Sequence, residues 1–241
     1  MNWLKYSSPQ TFYPLAGKLI KWFAAAAALL IFYGLYLGLL VAPTDFQQGD
    51  SYRIIFVHVP ASILSMFLYL VMAAYAILGI SLNARLSYMM ASSIAPTGAM
   101  FTFLALFTGS FWGKPTWGAW WVWDARITSE LILLFLYIGY MSLQAAIDDK
   151  RRSDRASAVL AIVGVINVPI IYYSVKWWNT LHQGSTINFS KASTMAPIML
   201  QAMMIMLAGF WLYSVAVILL RVRREIEDRE RKAAWLLAIG E

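Results

Sequence analysis

Six long runs of apolar residues, separated by short polar stretches, organise the chain: Trp22 to Ala42, Ile54 to Ile80, Met89 to Phe111, Ile127 to Ile147, Ala156 to Val175 and Ala196 to Leu220. Crossing about 30 Å of hydrocarbon takes roughly 20 residues of helix, and every run reaches that length. A membrane barrel would instead show alternating segments of about ten residues. In lipid the backbone must satisfy its own hydrogen bonds, so unbroken apolar runs predict helices. The expected fold is all-α: a polytopic membrane protein with six transmembrane helices. The first run follows about 20 polar and aromatic residues, is long for a signal core, and ends in Leu39-Leu40-Val41-Ala42-Pro43 without a small-x-small cleavage pattern. It reads as a retained helix.

The polar stretches give the orientation. Lys5, Lys18, Lys21, Arg85, Lys150, Arg151, Arg152, Arg155 and the tail residues Arg221, Arg223, Arg224, Arg229, Arg231 and Lys232 fall on one side. Only Arg53, Lys114, Arg126, Lys176 and Lys191 fall on the other. The positive-inside rule puts the richer side, with both termini, in the cytoplasm. The net charge of +7 then describes topology and needs no nucleic-acid partner. Residues 1–241 read as a single domain without linkers or repeats, with outer connections near 43–53, 111–126 and 176–195. The charged cytoplasmic tail, 221–241, reads as an extension of the last helix, held by i,i+3 and i,i+4 pairs. Pro96, Pro169 and Pro197 are expected to kink or start membrane helices, and Gly34 with Gly38 forms a GxxxG match for close helix contact.

The outer connections hold the unusual residues. The segment 112–124, WGKPTWGAWWVWD, carries Trp112, Trp117, Trp120, Trp121 and Trp123 and ends in Asp124. An interfacial aromatic belt would populate both membrane surfaces; here the indoles crowd one side, joined by Trp177 and Trp178. If this outer segment is helical, Trp117, Trp120, Trp121 and Asp124 share one face, an aromatic shelf ending in a carboxylate. Belt packing and a dedicated platform both remain readings. The only two histidines, His58 in Phe56-Val57-His58-Val59-Pro60 and His182 in Asn179-Thr180-Leu181-His182-Gln183-Gly184, fall on the same side. Separately each reads as an ordinary interfacial histidine, but together they suggest two imidazoles reaching toward one object.

A planar, largely apolar macrocycle with a central metal needs these parts. Bis-histidine ligation fills both axial positions of a haem iron, indoles supply stacking surface, and Arg53, Lys114, Arg126, Lys176 or Lys191 could pair with propionates. A structural pairing of Arg126 with Asp124 or with Glu130, four residues on, competes with that role. With no cysteine, disulfides, iron–sulfur clusters and thioether haem attachment are excluded. No Walker loop, HExxH or nucleophile–base spacing is present, so the sequence favours binding and hand-off over catalysis. Two other readings stand beside it: a non-haem permease subunit and a cytochrome b-like redox subunit. Asn167 and Gln201 are almost the only strongly polar groups expected deep in the spans, which weakens the permease reading.

The stretch from Trp112 to Arg126, with Val57-His58-Val59-Pro60, Trp177-Trp178-Asn179-Thr180-Leu181-His182-Gln183-Gly184-Ser185 and the six-span length, resembles the heme exporter protein C (CcmC) family, the WWD-motif haem-handling proteins of cytochrome c maturation. The resemblance covers essentially the whole chain. It implies a bacterial inner-membrane protein that binds haem b at the periplasmic face. His58 and His182 would be its axial ligands, from the two outer loops flanking the WWD segment. Trp112, Trp117, Trp120, Trp121, Trp123 and Asp124 would hold the haem edge and form the surface met by a periplasmic haem chaperone. The implied partners are that chaperone, the ATPase and permease subunits of an ABC transporter, and a small single-span membrane subunit. ATP hydrolysis would lie in the partner, and this chain would not be an enzyme.

Overall fold

The computed structural model describes residues 3–182 and 195–240. After a short 3₁₀ turn come α1 (Pro9–Tyr36), α2 (Ile55–Leu82), α3 (Arg85–Trp117), α4 (Ala125–Ala146), α5 (Lys150–Gly164), α6 (Asn167–Trp177), α7 (Pro197–Glu230) and α8 (Ala234–Gly240). Six segments are long and apolar enough to cross a membrane: Pro9–Val41, Asp50–Leu82, Arg85–Trp117, Ala125–Ala146, Lys150–Trp177 and Pro197–Glu230. The expected all-α, six-span architecture is therefore present, and no β-strand occurs among the described residues.

Several helices outrun their apolar cores because the polar ends have partners. The helix containing the first apolar run begins at Pro9, where Pro at the first position needs no hydrogen-bond partner for a missing N–H. Its early turns lie against the end of α7: the Tyr13 hydroxyl donates to Glu227 Oε1 at 2.6 Å, and the Arg223 guanidinium sits 4.1 Å from the Tyr13 ring centre. Within the tail, Arg229 and Glu225 form the expected i,i+4 pair at 2.5 Å. The other strong contacts cross between helices. Arg229 takes Asp154 of α5 in a two-pronged pair at 2.6 and 2.9 Å, and Arg85 of α3 pairs with Glu230. These contacts gather the two termini, the α2–α3 turn and the α4–α5 turn at one end of the bundle, the terminal end.

Close packing replaces water exclusion as the cohesive force between helices in lipid. Gly34 and Gly38 do make close contacts, but with different neighbours: a Cβ at Gly34 would meet Met206 of α7 at 2.8 Å, and one at Gly38 would meet Phe56 of α2 at 2.6 Å. At Gly38 the helix widens into a π turn, Leu37–Val41, and Arg53 Nη1 donates to the Gly38 carbonyl at 2.7 Å. The fully buried Tyr69, Tyr137, Tyr140, Phe101, Met72 and Leu133 fill the centre between α2, α3, α4 and α7. Of the prolines, Pro96 lies inside an unbroken α3 and Pro197 starts α7. The break in the fifth span falls at Val165 and Ile166, ahead of Pro169, which sits in the first turn of α6 where a missing N–H costs little.

Candidate functional site

At the end opposite the termini, α2 begins, α3 and α6 finish, and α4 starts. His58 lies in the first turns of α2, at the outer end of the second apolar run and not in the loop that the resemblance implied, and is only 9% exposed. Its Nδ1 lies 3.0 Å from the Ala105 carbonyl and 3.1 Å from Thr108 Oγ1, both on α3. The Thr108 hydroxyl donates to Leu104 O at 2.6 Å, so the proton between His58 and α3 belongs to Nδ1 and goes to Ala105 O. Nε2 is left as a lone pair, the form in which an imidazole binds metal. Gly109 makes room for this ring: a Cβ there would stand 2.9 Å from His58 Cε1 and 3.4 Å from Nδ1.

The His182 ring faces His58 with centroids 6.2 Å apart and planes at 33°. A metal bound by two imidazole nitrogens at about 2 Å each holds the ring centres roughly 6 Å apart. Among the described residues no group of three or more His, Cys, Asp or Glu could hold a metal ion.

Indoles wall this pair. Trp112 meets His58 edge-on at 5.7 Å and donates its Nε1–H to Gln48 Oε1 at 2.7 Å, tying the first outer connection across the site. Trp117 lies 6.2 Å from the His182 ring. The single helical face expected of the tryptophans is not formed. Residues 112–117 are the last turns of α3, so this part of the segment is helix and not loop; the helix stops at Gly118, whose φ of +78° favours glycine as a helix terminator. Trp120, Trp121 and Trp123 follow in irregular chain between α3 and α4. Trp120 packs edge-on against Phe111 at 5.2 Å, and its carbonyl accepts from Ser110 Oγ at 2.6 Å. Trp121 and Trp123 meet edge-on at 5.4 Å, with Trp123 76% exposed. Asp124 Oδ1 caps α4 by accepting from Ile127 N at 2.8 Å, while its Oδ2 and Trp121 Nε1 are buried with no partner among the described residues.

The cleft bounded by these residues encloses about 700 Å³ including its open mouth, and its lining is mostly apolar, the balance common in small-molecule sites. His58, His182, Trp112, Trp117, Trp120, Trp121 and Arg126 all line it; Trp123 and Asp124 stand beside it. The basic candidates divide. Arg126 reaches in from α4, with Nη1 on Ile171 O at 2.8 Å and Nη2 3.5 Å from the Ser62 hydroxyl. Arg53 is engaged by Asp50 and Gly38, Lys114 Nζ donates to Gly118 O, and Lys176 lies over the Tyr173 ring, so none of these three lines the cleft. Lys191 lies outside the described residues.

Neither pairing weighed for Arg126, with Asp124 or with Glu130, forms an ion pair among the described residues. Glu130 instead accepts from Ser65 Oγ at 2.7 Å, lines the cleft, and leaves Oε2 buried without a partner among the described residues. Asn167 binds the Ser129 carbonyl at 2.9 Å, and Gln201 is exposed on α7. Glu130, Thr108, Gly109 and Gln48 escaped the sequence reading as site residues. The i,i+4 spacing drew attention to Glu130, but nothing in sequence links Thr108 and Gly109 to a histidine about fifty residues earlier.

Comparison with known proteins places this geometry in context. The family described as heme exporter protein C matches residues 2–237. Heme exporter protein C of Escherichia coli (strain K12) is 46% identical over 228 residues, covering 95% of this chain and 92% of the relative. The Haemophilus influenzae protein of the same name is 42% identical over 241 residues, covering 100% and 98%, and that of Bradyrhizobium diazoefficiens 42% over 237 residues, covering 98% and 90%.

Proposed function

The chain belongs to the heme exporter protein C family, and on that premise we propose that it is a haem-handling membrane subunit of c-type cytochrome biogenesis. Its cargo is haem b, held between His58 and His182 at the periplasmic face of a bacterial inner membrane, with both termini in the cytoplasm. The observation that carries this reading is the facing of the only two imidazoles across a tryptophan-walled cleft, at the separation a shared metal requires. The cargo supplies its own ring and iron; the chain supplies two nitrogen donors, an apolar wall and one nearby guanidinium.

Each residue then has a task. The Nδ1–H of His58 is spent on Ala105 O, which fixes the ring and directs Nε2 away from α3. Trp112 and Trp117 pack beside the two imidazoles and exclude water from them. Arg126 is the cleft-lining cation and the best placed partner for a propionate, and Trp121, whose Nε1 has no partner among the described residues, lines the same cleft. Trp120 and Trp123, both exposed, present the cargo's edge to a periplasmic haem chaperone. The chaperone displaces the axial ligands while the indoles keep the ring oriented, and an ABC transporter ATPase and permease with a small single-span subunit act on the loaded chaperone. The chain itself catalyses no reaction; ATP hydrolysis belongs to the partner.

The test is an absorption spectrum of the purified protein in oxidised and reduced forms, followed by transfer to the chaperone. Low-spin haem is expected, and Trp120→Ala should keep that spectrum while slowing transfer about tenfold or more. Protein that stays colourless under ample haem supply would return the permease reading, and haem reduced by quinol without any chaperone the redox reading. Gly109→Ala probes the seat of His58: crowding the ring should lower haem affinity about 10–100-fold, measured by haem titration, with helicity unchanged. Unaltered affinity would show that α3 does not position the ligand.

A further inference from the structure

A second cleft, of about 1550 Å³ including its open mouth, lies at the terminal end of the bundle, remote from the histidines. Three chain features converge on it. The α2–α3 turn arrives through Asn83, which is left-handed with φ of +50°; α5 starts at Lys150, just after its cap Asp149; and α7 runs out into Arg231 and Lys232.

The charges on its walls do not balance. Asp154 and Glu225 are both consumed by Arg229, and Arg85 is paired with Glu230. Lys150, Arg151, Arg231 and Lys232 have no ion pair among the described residues and are all exposed, with Asp228 the one remaining acidic side chain on the walls. A second, independent feature points to a ligand. Tyr88 lines the cleft, is only 6% exposed, and its hydroxyl is buried with no hydrogen-bond partner among the described residues. Buried hydroxyls are ordinarily satisfied.

Depth narrows the choice of anion. The apolar run of α7 ends at Leu220 and its charges begin at Arg221, so the charged end starts where the hydrocarbon stops and enters the headgroup layer. Basic pockets between membrane helices at that level suit phosphate-bearing headgroups. We propose that this cleft binds a phosphate-bearing anion, the phosphodiester of an anionic phospholipid in preference to a soluble phosphate compound. Lys150, Arg151, Arg231 and Lys232 surround its charge, and binding brings the phosphate against the Tyr88 wall, where the buried hydroxyl gains a partner.

The experiment uses the full chain in nanodiscs of mixed phosphatidylglycerol and phosphatidylethanolamine, with retained lipid read by native mass spectrometry. Wild type should retain phosphatidylglycerol selectively. The combined Lys150→Gln, Arg151→Gln, Arg231→Gln, Lys232→Gln variant should lose that retention about tenfold. A control removing the same charge from exposed positions outside the cleft, Lys18→Gln, Lys21→Gln, Arg152→Gln and Arg155→Gln, should stay within about twofold of wild type. Tyr88→Phe, which changes no charge, should lose about threefold. Equal loss in the two charge variants would overturn the site in favour of a diffuse basic surface. Equal retention of both lipids by wild type would overturn it as well. Displacement of the lipid by inorganic phosphate would overturn the lipid assignment and give the cleft to a soluble phosphate compound.

Discussion

The His58→Ala and His182→Ala proteins are each expected to lose the low-spin haem spectrum, with affinity falling by about 100-fold or more. Groups that merely orient a metal-bound histidine are typically worth about 10–100-fold, and losing a coordinate bond removes more than orientation. The two variants should differ in kind. His58 is buried and bonded to α3 through Nδ1, so alanine there also leaves Ala105 O without its donor and opens space under Trp112. His182 is partly exposed and touches Trp117, so its removal should disturb the bundle less. Restoring the spectrum with free imidazole should therefore be easier in His182→Ala. Full, unshifted haem in both variants would remove the axial assignment, and with it the function proposed for the cleft.

Replacing Asp154 with alanine is expected to destabilise the bundle by about 1.5–3 kcal/mol, the usual worth of hydrogen bonds to a charged group, since Arg229 keeps Glu225 as a partner. Arg229 and Asp154 are 13% and 8% exposed at their side chains, and the carboxylate takes both guanidinium nitrogens. Gln144 also donates to Asp154 Oδ1 at 3.3 Å, so three helices meet at this one carboxylate. Denaturant or thermal unfolding in detergent would measure the loss. The informative companion is Asp154→Leu with Arg229→Met, which removes both charges and should recover most of the stability. If the double variant were as unstable as Asp154→Ala, packing and not charge would be what holds α5 against α7. The histidine cleft lies at the far end of the bundle, so the haem spectrum of folded Asp154→Ala protein should match wild type.

The spans were readable because the lipid requirement is severe: an apolar run of 20 residues has few alternatives to a helix. Their ends were not, because ends are set by partners that composition does not reveal. The first helix starts at Pro9 and not near Trp22 because Tyr13 finds Glu227 and Arg223 some two hundred residues later. At the cleft, the residue types that hold a flat cofactor stood out through their number and their side of the membrane. Their geometry did not: helical spacing suggested one shelf from Trp117 to Asp124, whereas Gly118 turns the chain and sends the later indoles along another path. The Pro-Thr-Trp-Gly sequence carried that signal, since glycine after a helical residue is a common terminator. Glu130 was misjudged for a different reason. Its i,i+4 relation to Arg126 predicts a pair on an isolated helix, but α2 offers it Ser65 while α6 offers Arg126 the carbonyl of Ile171.

One helix touches both clefts. Over 33 residues, α3 carries Tyr88 near its first turn, Gly109 and Trp112 near its last, and no break at Pro96 between them. Such a rod is about 50 Å long, so a tilt of about five degrees around its midpoint carries each end roughly 2 Å. Ala105, whose carbonyl steers His58, lies only about 6 Å along the rod from its midpoint, so the same tilt would move it by only about 0.5 Å. The helix is thus a shared wall of both clefts, and rocking it would displace Tyr88 and Trp117 near its ends far more than the seat of His58 near its middle.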